Sequence, residues 1–444
     1  MKNPSDSKKA MWAWCFYDWA NSVFALTVMA AFFPGFFKGY WSAGVDTAIS
    51  TARLGFGSAI AGLAVALLSP LAGSLMPAFE NPKKKQLLFW AVTGAAFTAI
   101  LFVVPKGEWL WALTVYIVAR MGFSLANLFY DALLVDVSTA QNRHIISSLG
   151  YALGYLGCGI LFVINLMMYK TPSAFGLASG GEAVRFSFPL AALWWVMFSI
   201  PMAVYVKEQR PAPLSAKQRQ SVFNGLKILK STGRDIFGRR ETGLFLLAYW
   251  FYIDGMHTIV MMATDYGLSI GLSLSALMTA LLVVQLVAFP SAIGAGFLTR
   301  KIGAQNTILM AIGVYICIAI GGGWVMRTDT HFIMFAGLTG VVQGAIQALS
   351  RSLFTTMIPA GKEAPYFGFY NMVGRFAVIL GPAIVGGCNL LLHRLGMPSH
   401  IAARTGFSML ALLFVAGGVL LLRLRPAPEK VHLPETDPRD VPAS

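Results

Sequence analysis

The amino-acid sequence predicts an all-α membrane protein, with twelve transmembrane helices in two pseudo-symmetric six-helix halves. The 444 residues are 57% hydrophobic and only 12% charged, which is more apolar surface than a soluble core absorbs. About twelve apolar stretches each approach the roughly 20 residues that a helix needs to cross a bilayer. Polar residues also recur at matching positions of the first and second halves.

The apolar stretches place the helices in order along the chain. The first six are predicted at 11–37, 54–78, 86–104, 109–137, 145–168 and 186–206. The second six are predicted at 243–266, 272–298, 306–326, 332–357, 366–392 and 402–422. Gly381-Pro382 predicts a kink in the eleventh helix.

These helices divide the chain into four regions. Residues 1–206 form the N-terminal half, 207–240 a basic linker, 241–424 the C-terminal half and 425–444 a disordered tail. Within the linker, Val222, Phe223, Leu226 and Leu229 follow helical spacing. An amphipathic helix on an anionic lipid surface and a solvated basic linker both fit this pattern.

Basic residues indicate the topology. Most Lys and Arg lie in alternate loops, including Lys83-Lys84-Lys85, the linker and Arg300-Lys301. The positive-inside rule therefore predicts that both termini and both regions outside the halves are cytoplasmic. The same distribution argues that the net charge of +15 reflects membrane topology rather than nucleic-acid binding.

The two halves repeat each other in detail. Asp18, Asn21 and Ser22 of the first helix correspond to Asp254, His257 and Thr258 of the seventh. In the fourth and tenth helices the matching pairs are Asn127 with Gln347 and Asp131 with Arg351. Two six-helix halves related by an axis along the membrane normal describe the major facilitator superfamily.

Several longer motifs resemble the bacterial relatives of the autophagy-linked vacuolar amino-acid effluxer family of yeast. They are Tyr17–Ser22, Phe129–Leu134, Gln347–Ser352, Phe367–Asn371, Gly374-Arg375 and Gly381-Pro382. The resemblance implies a monomer in a bacterial inner membrane, amino-acid cargo, export, and a cavity lined mainly by helices one, four, seven and ten. The superfamily's loop motif departs from its usual pattern, because Pro77 and Arg300 replace its aspartate.

Polar stripes on two of these helices predict a cavity. Arg120, Ser124, Asn127 and Asp131 share one face of the fourth helix, and Gln343, Gln347 and Arg351 share one face of the tenth. Such stripes are costly against lipid, so we expect them to face water or a partner helix. We assign substrate binding to Tyr17, Asn21, Arg120, Ser124, Asn127, Tyr252, Gln343 and Gln347.

The intramembrane acids predict proton coupling. Asp18 and Asp254 occupy equivalent positions, and His257 lies one turn from Asp254. Buried carboxyl and imidazole groups suit the uptake and release of a proton near neutral pH. The alternative is structural: each aspartate pairs with an arginine or caps a broken helix.

The intramembrane arginines allow two roles. Arg120 either binds an anionic group of the substrate or pairs with Asp18, whereas an ion pair with Asp254 is preferred for Arg375. Asp131 and Arg351 lie near the cytoplasmic ends of their helices. We interpret them as a salt bridge that closes the inward mouth.

The sequence therefore favours a secondary transporter that moves a small organic solute, with amino-acid efflux coupled to protons as the leading hypothesis. Uptake of a sugar or cell-wall fragment is an alternative, and a membrane-embedded enzyme or a non-transporting receptor is less favoured. No catalytic, metal-binding or Walker-type nucleotide motif occurs. We thus expect substrate, protons and lipids as partners, and neither a cofactor nor nucleic acid.

Overall fold

The computed structural model describes residues 4–45, 47–75, 83–207, 225–269, 274–359, 361–377 and 379–424. Regular structure in these ranges is helical throughout. Half of the predicted linker, 208–224, and the predicted tail, 425–444, lie outside the described residues.

The first half contains six long helices, α1–α6. Helix α1 begins as Pro4–Val23 and continues to Trp41 through two π-helical stretches, Phe24–Phe32 and Phe37–Trp41, which flank the α-helical turn Phe33–Phe36. The remaining helices are α2 (Thr47–Leu75), α3 (Lys83–Ile100), α4 (Trp109–Ala132), α5 (Arg143–Lys170) and α6 (Gly180–Tyr205).

The second half begins after a short linker helix, Gly225–Gly238. It comprises α7 (Arg240–Ser269), α8 (Leu274–Ile302), α9 (Ala304–Trp324), α10 (Asp329–Thr356), α11 (Glu363–Phe376 and Leu380–Arg394) and α12 (Ser399–Ser408 and Ala411–Leu422). The break in α11 confirms the predicted kink. Among the described helices, nine are long and apolar enough to cross a membrane, which is consistent with twelve spans.

Large apolar side chains cover the outer faces of these helices. Phe56, Trp111, Leu193, Leu286 and Leu395 are each between 64% and 71% exposed. Exposed apolar surface on this scale is costly in water but matches the hydrocarbon core of a bilayer.

The most extensive contacts between the two halves are made by two pairs of helices. Helix α5 packs against α8, and α2 packs against the first segment of α11. We call the end of the bundle at which α1 begins and α12 ends the terminal end, and the opposite end the distal end. At the terminal end, Lys83 Nζ lies 3.0 Å from Asp136 Oδ2 and 3.6 Å from Glu363 Oε2, so that α3 is tied to α11 across the halves.

The linker helix docks on α11 at the same end. Lys362 Nζ donates a hydrogen bond to Asp235 Oδ2 at 2.6 Å, and the Tyr366 hydroxyl donates to the same oxygen at 3.0 Å. The hydrogen bond from Lys362 lowers the pKa of the Asp235 carboxyl below its ordinary value. This contact is therefore present at neutral pH and is lost as the pH falls through that pKa.

Helix α4 approaches α3 closely through a pair of glycines. A Cβ atom on Gly122 would lie 2.6 Å from the Gly94 backbone and 2.8 Å from the Trp90 carbonyl oxygen. Backbone atoms cannot rotate away as a flexible side chain does, so the two helices would have to separate.

We predict that Gly122→Ala destabilises the protein by about 1–3 kcal/mol, the typical cost of overpacking. Thermal unfolding in detergent measures this change. Gly313→Ala is the matched control, because a Cβ on Gly313 of α9 meets nothing within 4 Å. Equal melting temperatures for the two variants would contradict the close approach of α3 and α4.

Candidate functional site

A cavity of about 440 Å³ lies between the two halves. Most of its lining residues belong to α1, α4, α5, α7, α8, α10 and α11, and α9 and α12 contribute Ile318 and Phe407. The cavity begins at Arg351, near the terminal end of α10, and extends to Met326 and Phe332 beside the α9–α10 connection at the distal end. The lining contains both polar and apolar side chains, as small-molecule sites do.

Arg351 closes the terminal end of this cavity. Its guanidinium donates to Asp131 Oδ1 at 3.1 Å, and to the Ser147 hydroxyl and carbonyl oxygens at 2.9 Å each. Three aromatic rings surround it, with centroids 4.3 Å (Tyr151), 4.9 Å (Trp14) and 5.2 Å (Tyr130) from the guanidinium carbon. Its side chain is only 2% exposed, so carboxylates and ring faces replace the water that would otherwise solvate the charge.

Asp18 lies at the edge of the same cluster. Its Oδ2 atom accepts a hydrogen bond from the Tyr130 hydroxyl at 3.3 Å and lies 3.9 Å from Arg351 Nη1. The Ser22 hydroxyl donates to Asp18 Oδ1 at 3.3 Å. Asp18 also lines the cavity, so its carboxyl group connects the solute space with the closing ion pair. We define the guanidinium site as Trp14, Asp18, Tyr130, Asp131, Ser147 and Tyr151.

Further hydrogen bonds join the halves around this cluster. The Tyr155 hydroxyl donates to Gln347 Oε1 at 2.8 Å, and the Ser147 hydroxyl donates to the Ala348 carbonyl oxygen at 2.8 Å. Asn371 Nδ2 donates to Asp131 Oδ2 at 3.3 Å. Together with Arg351, these contacts shut the terminal end, whereas the cavity reaches the distal end.

Many of the sequence-predicted site residues come together here. Asn21 Nδ2 donates to Asn127 Oδ1 at 2.6 Å, which places a pair of amides on the first-half wall. The predicted residues that line the cavity are Asp18, Asn21, Asn127, Asp131, His257, Gln343, Gln347 and Arg351.

Other predicted residues lie away from the cavity. Arg120 and Ser124 share the angular face of Asn127 and Asp131, but they are not among its lining residues. A cation beside Asp18 is Arg351, from the second half. Tyr17 and Tyr252 are fully buried behind the wall, and the Tyr252 hydroxyl shares a 2.7 Å hydrogen bond with Ser350. The side chain of Arg375 lies outside the described residues.

Asp254 occupies a different environment from its repeat partner Asp18. Its carboxylate accepts hydrogen bonds from the backbone N–H groups of Leu380 and Gly381 at 2.9 and 2.8 Å, and from the Thr258 hydroxyl at 3.2 Å. It is fully buried and does not line the cavity. The position matches the structural alternative: a carboxylate that caps the N-terminus of a helix segment after a break.

Several site residues had no distinctive signal in the sequence. Tyr151 and Tyr155 come from α5, which was not expected to line the cavity, and Trp14 is one of eleven tryptophans. The π-helical stretch Phe24–Phe32 brings Ala25, Leu26, Met29 and Ala30 to the cavity wall. Helical spacing at 3.6 residues per turn does not anticipate such a stretch, although π-turns often occur at functional sites.

Comparison with known proteins is consistent with this arrangement. A family model described as "Vacuole effluxer Atg22 like" matches residues 135–427. A Bacillus subtilis protein described as an uncharacterized MFS-type transporter, YxiO, is 37% identical over 92% of this chain and 93% of its own length. The chain belongs to the Atg22-like family.

The other similarities are more distant. Autophagy-related protein 22-2 of Aspergillus clavatus is 28% identical over 54% of this chain, and the aligned part spans 42% of the fungal protein. Among solved structures, the human organic anion transporter MFSD10 superposes with a TM-score of 0.68 at 13% identity, covering 95% of this chain and all of MFSD10. The proton:xylose symporter XylE gives a TM-score of 0.64 at 15% identity, with 95% of each chain covered. These two similarities show the major facilitator fold.

Family membership and fold together make the chain a multi-pass membrane protein of the major facilitator transporter type. The relative YxiO is described as an MFS-type transporter, which points away from an enzyme. In the described part of the chain, no group of three or more His, Cys, Asp or Glu side chains is arranged to hold a metal ion.

We predict that Asp254→Ala lowers thermal stability more than Thr258→Val. The alanine variant leaves two buried backbone N–H groups without their acceptor, at about 1–3 kcal/mol each, whereas the valine variant removes a single hydrogen bond to the carboxylate, worth about 1.5–3 kcal/mol. Unfolding of the purified variants in detergent compares them. An Asp254→Ala protein as stable as the wild type would refute the capping role.

Proposed function

We propose that the protein is a secondary active transporter that moves amino acids or closely related small solutes out of the cell by alternating access. The observation that supports this most directly is the central cavity. It is closed at the terminal end by contacts between the halves and extends to the distal end. Exchange between this arrangement and its reverse would carry a solute across the membrane.

The charge distribution orients the proposed cycle. Lys83-Lys84-Lys85, Arg143 and Arg300-Lys301 lie at the terminal end, and the positive-inside rule assigns that end to the cytoplasm. With this orientation the cavity faces the outside of the cell, and Arg351 in the guanidinium site forms the cytoplasmic gate. An exporter would load its cargo when this gate is open.

The chemistry of the cavity suits a zwitterionic solute. Asp18 and Asp131 offer carboxylates to an ammonium group, and the amides of Asn127, Gln343 and Gln347 offer N–H donors to a carboxylate. Apolar lining from Phe332 and Phe335 at the distal end can accept a side chain. The family description as an effluxer supports export as the direction.

A sugar importer is the second candidate. The Asn21 and Asn127 amides, together with the Tyr155 hydroxyl, also suit the hydroxyl groups of a sugar. A screen of the wild-type protein against amino acids, sugars and organic acids, with proteoliposome transport of each hit, decides between the candidates.

We propose Asp18 as the main proton site, with His257 as a second titratable group in the cavity. Asp18 faces both the solute space and Arg351, so a change in its charge alters cavity and gate together. The carboxylate of Asp254 is held by three hydrogen bonds outside the cavity lining. This makes Asp254 the weaker candidate for the same role.

We predict that Asp18→Asn transports cargo without responding to an imposed pH gradient, because an amide does not titrate. Uptake into proteoliposomes, with and without a pH difference, measures the coupling. Asp254→Asn is the comparison variant. We expect the folded fraction of this variant to transport cargo with the proton dependence of the wild type. Full transport with unchanged proton dependence in Asp18→Asn would exclude Asp18 as the proton site.

A covalent cross-link tests alternating access. The Ser147 hydroxyl donates a hydrogen bond to the Ala348 carbonyl oxygen across the halves, so α5 and α10 are in direct contact at these two positions. We predict that the double variant Ser147→Cys/Ala348→Cys loses transport on oxidation and regains it on reduction, because the bond holds the terminal end shut. The two single variants are the controls, and undiminished transport by the oxidised double variant would contradict the gate.

A further inference from the structure

The guanidinium site is a cation-binding site built by one half and filled by the other. Among the described residues, every group that holds the Arg351 guanidinium belongs to α1, α4 or α5, whereas Arg351 itself belongs to α10. The partners are two carboxylates, one serine and three aromatic rings. Carboxylates and ring faces are the groups that recognise a guanidinium or ammonium ion in proteins.

Opening of the terminal end must empty this site. In the transport cycle proposed above, the first-half helices separate there from α10, and Arg351 is withdrawn with its own half. Asp18 and Asp131 then lose their shared cation while the rings of Trp14, Tyr130 and Tyr151 stay beside them on the first half. Two neighbouring carboxylates beside ring faces favour another positive charge in place of the one that left.

The net charge of the cavity points in the same direction. The Asp, Glu, Lys and Arg residues among its described lining are Asp18, Asp131 and Arg351 only, which leaves a net charge of −1 with His257 neutral. The chain as a whole carries +15. A negative cavity in a basic protein favours a solute that carries positive charge.

We propose that a positively charged group of the cargo, an ammonium or a guanidinium, occupies the place of Arg351 in the guanidinium site when the terminal end is open. This inference rests on the proposed transport function and narrows its cargo to solutes with such a group. Cargo and Arg351 exclude each other from one site. Bound cargo therefore stabilises the open arrangement, because a ligand shifts an equilibrium only through unequal affinity for its two states.

The first test replaces the internal cation with an external one. Arg351→Ala empties the guanidinium site, and methylguanidinium is the probe, with the neutral isostere methylurea and an equal concentration of sodium chloride as references. We expect methylguanidinium at ten times its dissociation constant to raise the melting temperature of this variant by about 2 °C. We expect no such shift with methylurea, or with the wild type, whose site is filled.

Arg185→Ala is the matched control variant. The Arg185 guanidinium donates to the Phe102 carbonyl oxygen and lies near the rings of Phe102 and Tyr40, so its described contacts include rings but no carboxylate. It should gain no stability from methylguanidinium. Equal shifts in both variants, or no shift in Arg351→Ala, would overturn the proposal.

The second test uses the wild-type protein and does not depend on how well Arg351→Ala folds. In proteoliposomes, methylguanidinium applied at the terminal end should inhibit cargo transport at least tenfold more strongly than methylurea. Transport of an amino acid with equal inhibition by the two probes would refute the cation site and leave the transport function standing. Absence of transport for every solute, with stabilisation of Arg351→Ala by methylguanidinium, would refute the function and leave the site standing.

Discussion

The burial of one guanidinium between the two halves governs the arrangement of this protein. A charge at this depth has no water to solvate it, so its counter-ions and hydrogen-bond acceptors must come from the protein. Asp131, Asp18 and Ser147 supply them from the first half, while Arg351 comes from the second. The terminal end is therefore shut by the same interaction that makes the buried charge tolerable. The cavity is the space left on the other side of this contact.

The two acidic helices show how an internal repeat acquires different roles. Both helices keep the same hydrogen bond, in which a hydroxyl donates to a carboxylate four residues earlier. The pairs are Ser22 with Asp18 and Thr258 with Asp254. In each half a glycine also allows close approach of the facing helix, Gly154 to Asp18 and Gly381 to Asp254. The difference lies in the facing helix. Helix α5, which faces Asp18, is continuous, so its backbone N–H groups are used within the helix. Helix α11, which faces Asp254, is broken, and the N–H groups at the start of its second segment donate to the Asp254 carboxylate. Beside Asp18, Tyr130 and Arg351 provide the corresponding contacts.

Sequence reasoning predicted the helices and about half of the candidate site. Apolar runs define membrane helices well because the bilayer requires a fixed length of them, and four-residue spacing correctly placed Gln343, Gln347 and Arg351 on the cavity face. Spacing gives the angle of a side chain about its helix, but it does not say where along the axis the cavity ends. Arg120 was therefore predicted on the same cavity face as Asp131, but it is not part of the lining. The aromatic partners of Arg351 were also missed, because in a chain rich in aromatic residues their role depends on packing between helices that are distant in sequence.

Two positive species compete for the same carboxylates in the proposed cycle, and this decides the form of coupling. A proton on Asp18 removes the negative charge that a cargo ammonium or guanidinium needs, and a bound cargo cation disfavours protonation of that carboxyl. Each species therefore drives out the other. Co-transport would require both to be bound at once, whereas exchange requires only that one replaces the other while the terminal end is open. With the terminal end in the cytoplasm, a proton that enters from outside is exchanged for a cargo that leaves, which matches the proposed direction of export.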